Sequence, residues 1–143
     1  MGMANHLPEF LTTLAEMLGN AGQPQEGLNT LQEALEIMNK SDERYYEAEL
    51  YRVRGELLLM LDASSEPEAR SSFYHAVEVA RRQNAKLCEL RATASLCRLW
   101  LAQKSVEKRR QAHEMLNGIY SWFTEGFDTP DLEEARTLLD ALA

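Results

Sequence analysis

The chain reads as all-α, with seven helices, six of them in three antiparallel pairs laid side by side and the last closing the C-terminal end. Three observations predict this. Apolar residues recur at the spacing of one helix face through seven separate segments. Gly and Pro are scarce, 7 and 4 in 143 residues, while Leu, Ala, Glu and Arg, all good helix formers, dominate. A small residue returns at a nearly constant interval, Ala15, Gly55 and Ala94, which are 40 and 39 positions apart. Self-similarity at such a period marks a repeat array.

The first helix is predicted from about Asn5 to Gly19, with an apolar stripe of Leu7, Leu11, Leu14 and Leu18. Gly19-Asn20-Ala21-Gly22 ends it, and Pro24 opens the second helix from a first-turn position, where its missing N–H costs nothing. The second carries Leu28, Leu31, Leu35 and Met38 and closes near Asn39-Lys40. Ser41 is expected to cap the third helix, with Asp42 and Glu43 in its first turn. That helix runs to about Leu61 and has two stripes, Tyr46, Leu50, Val53, Leu57 and Ala48, Tyr51, Gly55, Leu58. Two stripes mean packing on two sides, as in a stacked array. Gly55 in mid-helix costs about 1 kcal/mol relative to Ala, which a close neighbouring helix would explain.

Ser65 and Glu68 have capping-box spacing at the start of the fourth helix, which buries Phe73, Ala76, Val77 and Ala80 before the turn at Gln83-Asn84. The fifth spans about Ala85 to Ala102 with Leu87, Leu90, Ala94, Cys97 and Leu101 on one side. The sixth begins after Ser105 and carries Ala112, Leu116, Ile119 and Phe123. Gly126 is the expected left-handed residue after it, folding Phe127 back onto Trp122. Thr129 and Pro130 start the last helix, whose stripe is Leu132, Ala135, Leu139 and Leu142, with Asp131, Glu134 and Asp140 on a polar face suited to covering an open end. Trp100 and Trp122 are expected to be packing residues.

The second helix of a pair repeats a small–large–small spacing, Gly27-Leu31-Ala34 and Ala69-Phe73-Ala76, with a degraded third copy in Ala112-Leu116-Ile119. Together with Ala15, Gly55 and Ala94 this resembles the tetratricopeptide repeat. The resemblance implies a right-handed superhelical stack of three tetratricopeptide-like antiparallel helix pairs plus a C-terminal capping helix, one domain over residues 1–143, with repeats at about 5–40, 41–83 and 84–125 and the capping helix at about 129–142. The interval exceeds the usual 34 residues, so the helices should be longer than the standard ones. The proline that normally closes each repeat is missing.

A second likeness lies in Glu43-Arg44-Tyr45-Tyr46-Glu47-Ala48-Glu49-Leu50-Tyr51-Arg52-Val53-Arg54-Gly55-Glu56-Leu57-Leu58-Leu59, in Glu89-Leu90-Arg91-Ala92 to Leu99-Trp100, and in Trp122-Phe123-Thr124-Glu125-Gly126-Phe127-Asp128-Thr129 with Asp131-Leu132 and Glu134-Ala135. These stretches resemble the C-terminal repeat region of large bacterial signalling proteins, predicted ATPases fused to an adenylate/guanylate cyclase or a DNA-binding module. In that family the repeats sense or scaffold while upstream domains do the chemistry. The chain departs from the pattern between Gln103 and Ala112, where it carries extra residues. The likeness implies either a segment of a larger cytoplasmic regulator, with upstream domains of the same polypeptide as partners, or a free-standing adaptor or chaperone.

The residues themselves narrow the function. Net charge is -8, which repels nucleic acid, and the basic run Lys108-Arg109-Arg110 reads as a solvated helix face. Charges interrupt every apolar run, so no membrane span is expected, and Met1-Gly2-Met3-Ala4-Asn5 lacks the pattern of a secretory leader. Cys88 and Cys97, on one helix, lie about 13 Å apart along its axis, too far for a disulfide. They read as reduced packing residues. His6, His75 and His113 have no partner at metal-ligand spacing, and His75 reads as a surface residue beside Glu78 and Arg82. No phosphate loop is present. No enzyme activity, metal or cofactor is expected.

The candidate site is the inner face of the first helix of each pair: Glu9, Thr12 and Glu16, then Glu49, Arg52 and Glu56, then Arg91, Ser95 and Arg98. Spacings of three, four and seven turn each set one way, so they are expected to line a concave groove for a protein or peptide, acidic at one end and basic at the other. The plainer reading has Arg52 pairing with Glu49 and Glu56 within its own helix, and Glu47, Glu49 and Glu56 as solvated charge. The Lys and Asn of chaperone-binding carboxylate clamps are absent from this face. A reading from another class, a helical repeat that senses a small-molecule effector, needs a deeper concavity than three repeats supply. A last expectation concerns the N-terminal edge, where exposed Leu7, Phe10 and Leu14 would favour a homodimer.

Overall fold

The computed structural model describes residues 6–143, in which seven α-helices and no strand are present. They are α1 (Leu7–Asn20), α2 (Pro24–Ser41), α3 (Glu47–Leu61), α4 (Glu66–Arg82), α5 (Lys86–Leu101), α6 (Val106–Tyr120) and α7 (Pro130–Leu142). The expected start of the first helix at Asn5 and the leader reading of residues 1–5 fall outside the described residues. No described helix is long and apolar enough to cross a membrane.

Helix starts follow the prolines. Pro8, Pro24, Pro67 and Pro130 each occupy the first two positions of a helix, where a fixed φ helps and no backbone donor is lost. α6 begins after Ser105 as expected, and the Ser105 hydroxyl caps it by accepting the Lys108 N–H at 3.3 Å. Two other caps differ from expectation. Ser41 ends α2 instead of starting α3, because Asp42 takes a left-handed conformation (φ 56°) and closes α2 by donating its N–H to the Met38 carbonyl at 2.8 Å. The chain then turns through residues 42–46, and α3 begins at Glu47. Ser65 makes no side-chain cap. A short 3-10 turn, Ala63–Ser65, precedes α4, and Asp62 is the side chain that accepts an N–H there, from Ser64 at 2.9 Å.

The segment after α6 is the largest departure. The helix ends at Tyr120, six residues before Gly126, so the left-handed Gly126 (φ 81°) belongs to the loop and does not close the helix. Phe127 packs on Tyr120, with ring centroids 5.7 Å apart, and not on Trp122. Trp122 is 57% exposed, against its expected burial, with its ring edge-to-face with Phe123. Trp100 is buried.

Helices α1, α3, α5 and α7 form one row, each packed on the next; α2, α4 and α6 form a second, each lodged between two members of the first. Among the described residues the backbones of the second row do not approach one another as those of the first row do. The first row, whose side chains line a hollow, is called the inner row. The core is continuous through this arrangement. One cluster joins Ala15, Leu31, Ala34 and Met38 to Leu50, Val53 and Leu57 of α3. A larger one joins Phe73 and Leu58 to Leu90, Cys97, Leu116, Leu132 and Leu139, so α7 is held by burial and not merely laid on the end.

Gly55 and Gly27 show what sets the helix spacing. A Cβ on Gly55 would stand 2.5 Å from the Phe73 ring, and one on Gly27 would stand 2.8 Å from the Ala15 carbonyl oxygen. At both positions the neighbouring helix leaves no room for a side chain. Gly118, on the exposed side of α6, has nothing within 4 Å of its Cβ position. The two glycines should respond oppositely to alanine. Gly55→Ala gains about 1 kcal/mol of helix propensity but forces Phe73 to move, and should lose about 1–2 kcal/mol net. Gly118→Ala should gain up to about 1 kcal/mol. Urea unfolding of both variants checks the pair of signs.

Candidate functional site

The inner row presents its charged residues along one line: Glu16, Arg52, Glu56, Arg91 and Arg98 line the same hollow from α1, α3 and α5, with Glu49 buried beside Arg52. Helix spacing puts them on one face; packing of α1 on α3 and α3 on α5 brings them within reach of each other. The result is a ladder of ion pairs that crosses helices. Arg52 donates through Nη2 to Glu16 Oε2 at 3.2 Å, and through Nε and Nη2 to the two oxygens of Glu49 at 3.0 and 3.1 Å. Glu49 also accepts from Arg91 Nη1 at 3.1 Å. Arg98 donates to Glu56 Oε1 at 3.0 Å.

Helix α7 completes the ladder. Asp131 accepts from Arg91 Nε at 3.0 Å, and Glu134 is ion-paired with Arg98 Nη1. The polar face of α7 thus turns partly into the hollow. This corrects the expected polarity of the groove. Its basic end is neutralised by carboxylates from the closing helix, so acid and base alternate along its length. The reading of Arg52 as the partner of both Glu49 and Glu56 is half met: Glu49 is bound, while Glu56 belongs to Arg98. The reading of Glu47 and Glu49 as solvated charge fails, since both are buried. The inner helix α5 lays Arg91 over Glu49, a neighbour 42 residues away that intrahelical spacing does not reveal.

The remaining candidates lie at the margins. Glu9 accepts from the Tyr45 hydroxyl at 3.0 Å and stands 3.6 Å from His6 Nδ1, an exposed cluster at the entrance between α1 and α3. Thr12 is buried and donates to the Pro8 carbonyl at 2.8 Å, so it looks into the helix pair and not into the hollow. Ser95 is buried beneath Arg98, whose Nη2 it accepts at 3.0 Å. Asn20, Asp131 and Glu134 line the hollow without having been among the expected residues. Asp131 and Glu134 were legible only as a polar face on a closing helix.

Electrostatics follow from burial. The side chains of Arg52 and Glu49 are 11% and 6% exposed. Burial by itself opposes the charge on Arg52, but hydrogen bonds and charges from Glu49 and Glu16 outweigh it and hold its pKa above the ordinary guanidinium value. Arg91 behaves likewise, with Glu49 and Asp131 outweighing its burial. Burial pushes the Cys97 thiol up to about 12 and raises Cys88 as well, so neither is a ready nucleophile. His75 is half-buried and not a bare surface residue: its ring meets Tyr51 edge-on at 4.2 Å, with Nε2 4.0 Å from Glu47.

The hollow over the ladder has a volume of about 220 Å³ where Leu90 and Ala94 form its floor, and continues past Val53, Leu57 and Met60. It is open to solvent. No family model, no curated protein and no solved structure matches the chain.

The ladder's weight in the fold is measurable. Arg52→Met leaves the buried Glu49 with one guanidinium in place of two and frees Glu16. Removing one member of a buried pair typically costs several kcal/mol, and with Arg91 still bound a loss of about 3 kcal/mol is expected in urea unfolding. Arg110→Met, which breaks the exposed Arg110–Glu107 pair on α6, should leave the unfolding midpoint unchanged.

Proposed function

We propose that the chain is a protein-interaction module of the tetratricopeptide type, a right-handed superhelical stack whose inner groove receives an extended peptide or a partner domain. The observation that carries this reading is the charge ladder at the floor of the open hollow, where five carboxylates and three arginines from four helices alternate. The arginine side of the ladder is largely satisfied within the chain. The outer carboxylates, Glu16 and Glu134, are 44% and 49% exposed. A peptide bringing Lys or Arg to these two carboxylates, with apolar residues over Leu57 and Met60, matches the surface. The hollow is open to solvent and lined mainly by charged side chains, unlike the enclosed, mostly apolar clefts usual for small-molecule sites, which favours a peptide over an effector. The sequence likeness to C-terminal repeat regions of bacterial regulatory ATPases supports a scaffold role beside catalytic domains carried elsewhere, in a cytoplasmic setting.

Selection from a randomised peptide display library checks this. Enriched peptides should be rich in Lys or Arg and bind the chain in fluorescence anisotropy. Glu16→Lys combined with Glu134→Lys should weaken them by about tenfold or more, while Glu107→Lys on α6 should not. Failure to enrich any peptide, or indifference to the groove variant, would remove the groove from consideration.

A further inference from the structure

The first helix pair exposes a face that the later repeats bury. The register set by Ala15, Gly55 and Ala94 places Phe10, Thr13 and Met17 of α1 level with Leu50, Val53 and Leu57 of α3, and with Glu89, Ala92 and Leu96 of α5. All six of these α3 and α5 residues are buried. Leu50, Val53 and Leu57 close against Leu31 and Met38 of the preceding pair, and Ala92 against Ala76 and Val77 of its own predecessor. In α1 the same positions face solvent: Phe10 is 62% exposed, Met17 61%, and Thr13 is exposed as well. Half-buried Leu14 extends the strip. Thus α1 offers, unoccupied among the described residues, the surface on which each later inner helix receives a helix pair.

The charge around this face says what fits it. From Leu7 to Ser41 the chain carries five carboxylates (Glu9, Glu16, Glu26, Glu33 and Glu36) against the single Lys40, a net of -4 with His6 lying outside the count. Glu33, Glu36 and Lys40 rim an open hollow of about 330 Å³ that runs beside Leu11 and Ile37. Two copies meeting through this face would set like charges against each other, which disfavours the isologous dimer that the apolar residues alone would invite.

We propose that the α1 edge docks a basic amphipathic helix of a partner protein. Its apolar stripe has the spacing with which α2 offers Leu28, Leu31, Leu35 and Met38 to α3, and Lys or Arg flank that stripe to meet the acidic rim. This is helix-in-groove recognition with its anchors at i, i+3, i+7. It rests on the interaction-module reading but uses the outer edge of α1 and α2, which shares only Glu16 with the charge ladder.

The probe is a synthetic peptide of residues 24–41 carrying Glu26→Lys, Glu33→Lys and Glu36→Lys, which keeps the α2 stripe and reverses its flanks. Fluorescence anisotropy should show saturable binding to the full chain. Phe10→Glu with Met17→Glu, both at exposed positions and checked for folding by circular dichroism, should weaken it by about tenfold or more. Val106→Glu at the opposite end and Glu134→Lys in the groove should leave binding unchanged, so that loss with Glu134→Lys would assign the peptide to the groove instead. The unaltered peptide of 24–41 should bind about tenfold more weakly. Absence of binding, or equal binding to the Phe10→Glu, Met17→Glu variant, overturns the proposal. So does a wild-type dimer in sedimentation equilibrium that the same variant dissolves, since the face would then belong to a second copy.

Discussion

The carboxylate of Glu49 is the point on which the stack turns. It is buried, and a buried charge without partners is too costly for a domain of this size to carry. Its partners come from different places: Arg52 one turn along the same helix, and Arg91 on the next inner helix. Satisfying both at 3.0–3.1 Å fixes how α5 sits over α3. Arg52 reaches back to Glu16, and Arg91 reaches forward to Asp131, so the requirement spreads along the whole inner row. Replacing such a network by apolar residues is frequently no loss in stability. Its presence here is therefore better understood as fixing register and lining an open surface than as the source of the fold's strength.

Strength comes from the apolar layer behind the ladder. Phe73 fills the notch left by Gly55, Leu57 packs against Gly19 and Gly27, and Leu132, Leu138, Leu139 and Leu142 seal the end with α7. The two layers depend on each other. Close approach at the glycines brings the inner helices near enough for side chains 36 and 42 residues apart to pair, and the pairing holds the helices in the rotation that keeps the glycines facing their partners. The seal is one-sided. The C-terminal end has α7, whose acids cancel the arginines beside it, whereas the N-terminal pair keeps Phe10 and Met17 in solvent under an acidic rim.

Most helix bodies were legible in the sequence, and their ends less so. Pro24 and Pro130 marked starts, and α6 began after Ser105, because each acts through the backbone of its own turn. Ser41 and Ser65 misled for a related reason: both lie in segments with a competing residue nearby. Asp42 adopted the left-handed conformation that ends α2, and Asp62 supplied the acceptor before α4. Trp122 looked like core because of its size and neighbours, but α6 stops at Tyr120 and leaves it beyond the helix, where Phe127 has already taken the packing position on Tyr120.

By itself the sequence determined the all-helical class, most of the helix bodies, and the glycines, Gly27 and Gly55, at which neighbouring helices leave no room for a side chain. These follow from helix periodicity and excluded volume, which act over a few residues or leave no alternative for a glycine beside an aromatic ring. Only the tertiary structure decided which charge answers which: Glu56 to Arg98, Glu16 to Arg52, and the acids of α7 to the arginines of α5. Ion pairing needs atoms within about 4 Å, and that distance is set by the tilt and rotation of helices separated by dozens of residues. No spacing rule along one helix contains that information.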